Sequence, residues 1–418
     1  ILILILILYY FFAKMFVINL FDPILMYIFF NSFSCSLVIY LFIKNDIKEH
    51  YFYIFFISFF AFWTAFYITN KIFFRKLYYN LKNLSFVVNN FEMRIFLYIG
   101  TLILLISTLP MYLLKGVPLF SENPSDAKVL FYSGGFGPVR YLHLIFPSLL
   151  SSISLYALFH NKHKNFFMSK NNFIFHFSFI VSFLIILGSG SKSALFFMLS
   201  ILSLLTYKFS IENNKGILLR INIIFSFILI LGIGYTLNIL LSTEEDIIAA
   251  FFALGVRFIA AGDIFFFYYV YDLESYFIEY SFFDIFNYLY NPFLSMLRIT
   301  TPSYPLGAVI LNYATDWPVT SFGPNSQYPV VGQIFFGNYF FWIYSVFIGV
   351  LMAFVRGVFI SKFKVNAINS AFFLFFWIKI SAISIDIVYF ISIFFTFFIF
   401  IIPIFFLIKI LPKYSGNS

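Results

Sequence analysis

The sequence predicts an all-α protein, a polytopic transmembrane bundle of about ten or eleven helices with one long outward loop containing helical or re-entrant elements. Three observations carry that prediction. Of the 418 residues, 62% are hydrophobic and 10% charged, and the mean hydropathy is +0.96. Soluble chains are about half apolar, so a water-soluble core could not hide this much apolar surface. Apolar stretches of about 20 residues, the length that crosses roughly 30 Å of hydrocarbon, recur along the chain. Between Leu241 and Tyr328 that recurrence is interrupted. The whole of 1–418 is therefore expected to be one integral membrane domain, with 241–328 as a large extracytoplasmic loop within it.

Taken in order, Ile1 to Leu8 is a strict alternation of Ile and Leu, and Met15 is a plausible natural start. Residues 1–14 are expected to be an upstream addition or a truncated further span. Ten helices follow, each bounded by polar or basic residues, at 24–43, 51–69, 95–114, 139–159, 173–189, 193–208, 217–241, 329–355, 369–384 and 387–408. The last two are expected to join through a tight turn containing Lys379 and Asp386. No convincing internal repeat is present, which weighs against a secondary transporter.

Basic residues set the orientation. One set of alternate loops and the tail holds 16, including Lys71, Arg75, Lys164, Arg220, Arg356 and Lys413. The opposite set holds nine: Lys44, Lys48, Lys115, Lys128, Arg140, Lys192, Arg257, Arg298 and Lys379. The termini are therefore expected in the cytoplasm and 241–328 outside, in the inner membrane of a bacterium. The net charge of +9 expresses this bias. Nucleic-acid binding would instead need a basic patch on a soluble domain. The single cysteine, Cys35, permits no internal disulfide, and the five histidines show no metal-ligand spacing. No cofactor is expected.

Chemistry is sought among the outward residues. The stretch Ala249 to Tyr271 is apolar enough to enter the membrane yet carries Arg257 and Asp263, with Gly255 and Gly262 beside them. Charges at bilayer depth are costly and usually face a cavity or a partner, and the glycines suggest a bent, re-entrant element. A buried structural pair would also account for them. Tyr268 and Tyr271 open a tyrosine-rich run mixed with Asp272, Glu274, Glu279 and Asp284; such rings form an interfacial belt or stack on sugars. Arg298 precedes a Pro- and Gly-containing stretch, and Asp316 stands before Trp317 and Pro318. Arg presents a planar fork matched to phosphate oxygens, so two outward Arg suit a diphosphate, although a loop-capping role fits Arg298 equally. Gly188 to Ser193 forms an outward turn in which Lys192, among small residues, could hold an anion, or simply anchor the turn. Arg140 follows Gly134, Gly135 and Gly137 as a third outward cation or as a helix anchor. No nucleophile elbow appears in these segments.

These features resemble the Wzy-type O-antigen and oligosaccharide repeat-unit polymerases. The resemblance runs from Phe21-Asp22-Pro23 to the last span. It rests on the Gly188-to-Ser193 turn, the pair Gly255-Val256-Arg257 and Gly262-Asp263, the long loop, and Gly332 to Gly349 in the following span. Members often have Arg where this chain has Lys192. The resemblance implies a metal-independent glycosyltransferase on the outer face of the cytoplasmic membrane, active in polysaccharide or lipopolysaccharide biosynthesis. It would move a glycan from undecaprenyl diphosphate to the sugar of another lipid-linked repeat unit. Arg257 and Arg298 would stabilise the leaving diphosphate, Asp263 or Asp316 would act as base, and Arg140, Lys192, Tyr268 and Tyr271 would bind substrate. A chain-length regulator and a flippase would be partners beside the bilayer itself. A ligase-like transferase shares this site, and a lipid-linked oligosaccharide flippase or exporter predicts short loops on both faces.

Overall fold

The computed structural model describes residues 1–13, 16–17, 22–73, 90–121, 127, 130–131, 137–160, 173–189, 223, 248–249, 259–301, 304–316, 323–362, 376 and 379–410. Its helices in chain order are α1 (Leu2–Ala13), α2 (Pro23–Ile43), α3 (Glu49–Phe73), α4 (Asn90–Lys115), α5 (Gly137–His160), α6 (Phe173–Gly188), α7 (Ala260–Val270), α8 (Asp284–Met296), α9 (Leu306–Thr315), α10 (Tyr328–Lys362), α11 (Ala382–Ile385) and α12 (Ile387–Ile410). No strand occurs among the described residues. Among the described residues, five helical stretches are long and apolar enough to cross a membrane: Pro23–Ile43, Glu49–Phe73, Phe91–Phe120, Tyr328–Gly357 and Ile387–Ile404. The chain is an all-α, polytopic membrane protein. The expected spans at 193–208 and 217–241 and most of 369–384 lie outside the described residues.

The chain divides into two compact units. The first comprises residues 1–81, 233–361 and 379–392, and the second 82–232, 362–378 and 393–418. In the first unit, α2 starts where its sequence says it should. Asp22 caps it by accepting from Ile24 N at 3.0 Å, and Pro23 supplies a preset φ at the first helical position. α1 lies against α2 and α3: Asn31 donates to the Tyr9 hydroxyl at 2.7 Å, and the Tyr9 ring packs on Phe59 and Trp63.

Two expectations about this unit need correction. The span drawn at 329–355 is not one rod. Gly337 has φ 67° and ψ −176°, a conformation that is essentially glycine-only, and it reverses the chain. Residues 328–336 fold back along 338–362: Gly332 lies against the Phe341 carbonyl, and Phe336 meets the Tyr344 ring at 5.9 Å. Tyr328 and Gly349 both touch Phe62, although a straight helix would separate them by about 30 Å. The stretch 338–357 is still long enough to cross. Second, Arg356 is not a solvated loop cation: it is 2% exposed because Asp22 and the Phe16 carbonyl replace its water, and Lys379, directly before the turn at 380–381, is 4% exposed.

The second unit is built from α4, α5 and α6 with the later part of α12. Buried Ser and Thr replace bulk at these helix contacts and hydrogen-bond within them, as in other membrane bundles. Thr101 meets Ser178 at 2.7 Å, and Tyr112 donates to the Ile185 carbonyl at 3.2 Å. Ser148, Ser151, Ser152 and Ser154 give α5 a buried hydroxyl face.

Candidate functional site

Within the first unit, irregular backbone occurs near the middle of the spans, and it marks the candidate site. Lipid supplies no hydrogen bonds, so irregular backbone at this depth persists only where protein groups or a cavity satisfy it. α2 provides the depth scale. Ser34 stands about 16 Å along this helix from its Pro23 end, close to the middle of the span. Its hydroxyl donates to the Ala261 carbonyl at 3.3 Å, and Gln327 Nε2 donates to the same oxygen. The Ala260–Gly262 turn of α7 therefore lies near mid-depth. It is irregular throughout: a 3-10 turn at Ala260–Gly262, one α turn at Asp263–Phe265 and a π turn at Phe266–Val270. Such π turns are rare and recur at functional sites.

The non-helical stretch 323–327 reaches the same depth, where Gln327 meets Ser34 and Ala261. A side chain on Gly307 would collide with the Pro324 carbonyl, and one on Gly323 would lie 2.5 Å from Ala308 N. Two glycines thus let this non-helical segment cross the start of α9 backbone to backbone. A third break separates α11 from α12 at Asp386, whose Oδ1 accepts from Tyr389 N at 3.1 Å.

Where these breaks meet α2 they leave a cavity of about 290 Å³, lined by Tyr27, Phe30, Asn31, Ser34, Ala260, Ala261, Asn325, Gln327 and Ile385. Among the described residues its polar lining is amides and hydroxyls, with no charged side chain. Asn31 is 5% exposed and also donates to Tyr27 at 3.2 Å. Asp263 follows two residues after Ala261 on α7. It is half-buried, and no described residue hydrogen-bonds its carboxylate. The arrangement suits an uncharged, hydroxyl-bearing ligand beside one carboxylate able to take a proton.

Above the cavity, α7 rises to the turn 44–48 that joins α2 to α3. There Asp272 accepts from Lys48 and, at 2.8 Å, from the Tyr51 hydroxyl. Lys48 first, and Tyr51 after it, hold the Asp272 carboxyl below the usual carboxylate range. Glu274 accepts from Asn338 at the tip of the α10 reversal. α8 covers the same end: Tyr288 stacks near Phe335 at 5.2 Å, and its hydroxyl meets Ser326 at 2.8 Å.

The residues singled out from sequence are placed unevenly. Asp263 is two residues beyond the lining residue Ala261 and is not itself part of the lining. Tyr268 is buried, its ring against Tyr51, Tyr269 and Phe277, whereas Tyr271 is 46% exposed at the upper end of α7. Arg298 ends α8 in the left-handed conformation (φ 58°), and Asp316 ends α9 likewise (φ 56°); both are exposed. Those positions give each a helix-terminating role, and no described residue pairs with either side chain. Arg140 stands in the first turn of α5, in the second unit, and its side chain lies outside the described part of the structure. Arg257 and Lys192 lie outside the described residues, as do Gly255 and Ser191.

Asn31, Ser34, Asn325 and Gln327 were not legible as a site. The available signal was polar residues inside apolar spans, which in membranes face a partner or a cavity. Nothing local joins positions 31 and 327. Comparison with family models, with curated proteins and with solved structures finds no match to this chain.

Proposed function

We propose that this protein is a membrane glycosyltransferase of the repeat-unit polymerase type, seated in a bacterial cytoplasmic membrane. It would transfer a glycan from undecaprenyl diphosphate to the sugar of a second lipid-linked unit on the outer face. The observation that supports this reading best is Asp263, an unpaired, half-buried carboxylate two residues along α7 from a cavity whose described polar lining is neutral amides and hydroxyls. Sugar hydroxyls pair with such groups at no cost in uncompensated charge.

In this scheme Asp263 takes the proton of the acceptor hydroxyl as its oxygen bonds to the anomeric carbon. The bond from that carbon to the diphosphate breaks, and the diphosphate leaves with the electron pair. Arg257 and Arg298 are the cations assigned to that leaving group from sequence. A single displacement inverts the anomeric centre. General-base assistance contributes on the order of 10²–10⁴-fold, so Asp263→Asn should slow polymerisation by about that factor.

Deleting the gene and resolving surface glycan on a gel tests the class. A ladder collapsed to one attached repeat unit supports the polymerase, and loss of all attached units points to a ligase or flippase. Arg257→Ala and Arg298→Ala, at normal membrane levels, test the diphosphate assignment; a full ladder from both removes it. A second reading, a lipid-linked oligosaccharide exporter, is favoured by one observation: helix breaks that converge near mid-depth are the usual substrate sites of transporters. Vesicles holding purified protein and lipid-linked repeat units separate the two. A polymerase lengthens the glycan, whereas an exporter exposes it to an external lectin at unchanged length.

A further inference from the structure

A second concavity, distinct from the mid-depth cavity, opens between α3 and the part of α10 that follows Gly337. It has a volume of about 340 Å³ and is lined by His50, Tyr53, Ile54, Ile57, Glu274, Asn338 and Phe341. Positions 50, 53, 54 and 57 form one stripe of α3, and 338 and 341 face it from α10, so the groove runs along the helix axes. Its two ends differ in chemistry. His50, Glu274 and Asn338 sit at the 44–48 end, where the helices leave the membrane. Ile54, Ile57 and Phe341 lie deeper, and Ile57 is about 10 Å below His50. A polar head over an apolar slot, aligned with the bilayer normal, has the shape of a phospholipid.

The rim also selects a charge. Glu274 sits 3.3 Å from His50 Nε2, without the alignment of a hydrogen bond, and accepts from Asn338. The Tyr53 hydroxyl donates to Glu49 at 2.8 Å, which adds a second carboxylate. Lys48, two residues before His50, is engaged by Asp272. Among the described residues the rim thus carries two carboxylates, with His50 as its one nitrogen base. Tyr53 and Ile57 are each about half exposed on the apolar outer face of α3, so the groove is continuous with the surface that lipid covers.

We propose that this groove binds a bilayer phospholipid with a primary-amine head, phosphatidylethanolamine in class, its ammonium on Glu274 and its acyl chain along Ile54, Ile57 and Phe341. The bound lipid seals α3 against the α10 reversal beside the mid-depth cavity. This stands independently of the glycosyltransferase reading.

The test is native mass spectrometry of the full-length protein from nanodiscs of equal parts phosphatidylethanolamine, phosphatidylcholine and phosphatidylglycerol. The wild type should retain phosphatidylethanolamine preferentially, because a quaternary choline has no N–H to donate and glycerol carries no cation. Glu274→Gln, isosteric and still able to accept from Asn338, should reduce that preference about tenfold or more. Ile57→Trp should reduce retention of every lipid by filling the slot. Phosphatidylglycerol bound equally well, an unchanged preference in Glu274→Gln, or selective retention of added polyprenyl phosphate instead would each overturn the proposal. Glu274→Gln keeps it testable if Ile57→Trp fails to accumulate.

Discussion

Both ends of the first unit are fastened by an ion pair between segments remote in sequence, and the two pairs are built in opposite ways. At the Pro23 end, Arg356 grips Asp22 with both terminal nitrogens, at 2.9 and 2.8 Å, and adds the Phe16 carbonyl at 2.6 Å. The side chains are 1% and 0% exposed. At the other end, Lys48 meets Asp272 with 60% and 44% of the side chains open. The first pair closes a dry contact among α2, α10 and the segment before α2. The second holds the upper end of α7, beside the tip of the α10 reversal, through groups that water and salt can replace. What differs is the ease of exchange. The elements bordering the mid-depth cavity are anchored rigidly below and released cheaply above, the arrangement expected where a ligand enters from one side.

Removing one partner tests the lower anchor and should give the largest effect. Arg356→Ala leaves Asp22 buried without its cation, a loss on the order of 3–5 kcal/mol. We expect sharply lower membrane levels and a thermal unfolding midpoint in detergent well below that of the wild type. Pairing Arg356→Met with Asp22→Asn removes both charges and should recover most of the loss, because the main penalty is the orphaned charge. An unchanged midpoint in Arg356→Ala would mean the pair contributes little to this end.

How much of this was legible in sequence depends on how local the cause is. The expected spans at 24–43, 51–69, 95–114, 139–159, 173–189 and 387–408 fall on α2 to α6 and α12 within a few residues at each end. Apolar length against bilayer thickness is a one-dimensional constraint, and composition shows it directly. The α10 reversal was missed because Gly337 keeps the apolar run unbroken; the signal was the flanking pair Gln333 and Asn338, which bond each other at 2.9 Å across the turn. Arg356 read as a loop cation because Asp22, its partner 334 positions away, is invisible to a hydropathy window. Of the proposed catalytic residues, Asp263 stands two positions from the lining residue Ala261. The neutral groups lining it, Asn31, Ser34 and Gln327, come from segments nearly 300 positions apart and are joined only by tertiary structure.

The reversal itself gives an intermediate effect. At φ 67° and ψ −176°, any side chain at Gly337 is strained, at about 1–3 kcal/mol. Open space surrounds the position, so Gly337→Ala adds backbone strain without a collision. We expect a moderate fall in thermal midpoint, together with faster amide exchange confined to 328–338. Uniform exchange across the unit would show that the reversal is not a separable element.

The upper pair should give the smallest stability effect and the clearest dependence on conditions. Exposed pairs contribute at most about 1 kcal/mol, so Lys48→Ala should barely move the midpoint at moderate salt. The Asp272 carboxyl is held below its ordinary value chiefly by Lys48. A group depressed in the folded state stabilises it at pH above its unfolded value, and that contribution disappears as pH falls through the lower, folded value. The contact should therefore persist through the neutral range and weaken only in acid, below about pH 4. Cysteines placed at exposed Ser275 and Lys44 would report it through their labelling rates, which should rise in acid and in high salt in the wild type. In a background carrying Lys48→Ala, the rates should already be high at neutral pH and should no longer respond to salt. If neutral-pH labelling is the same with and without Lys48, Asp272 is held by Tyr51 alone, and the contrast between the two ends lies in burial and not in charge.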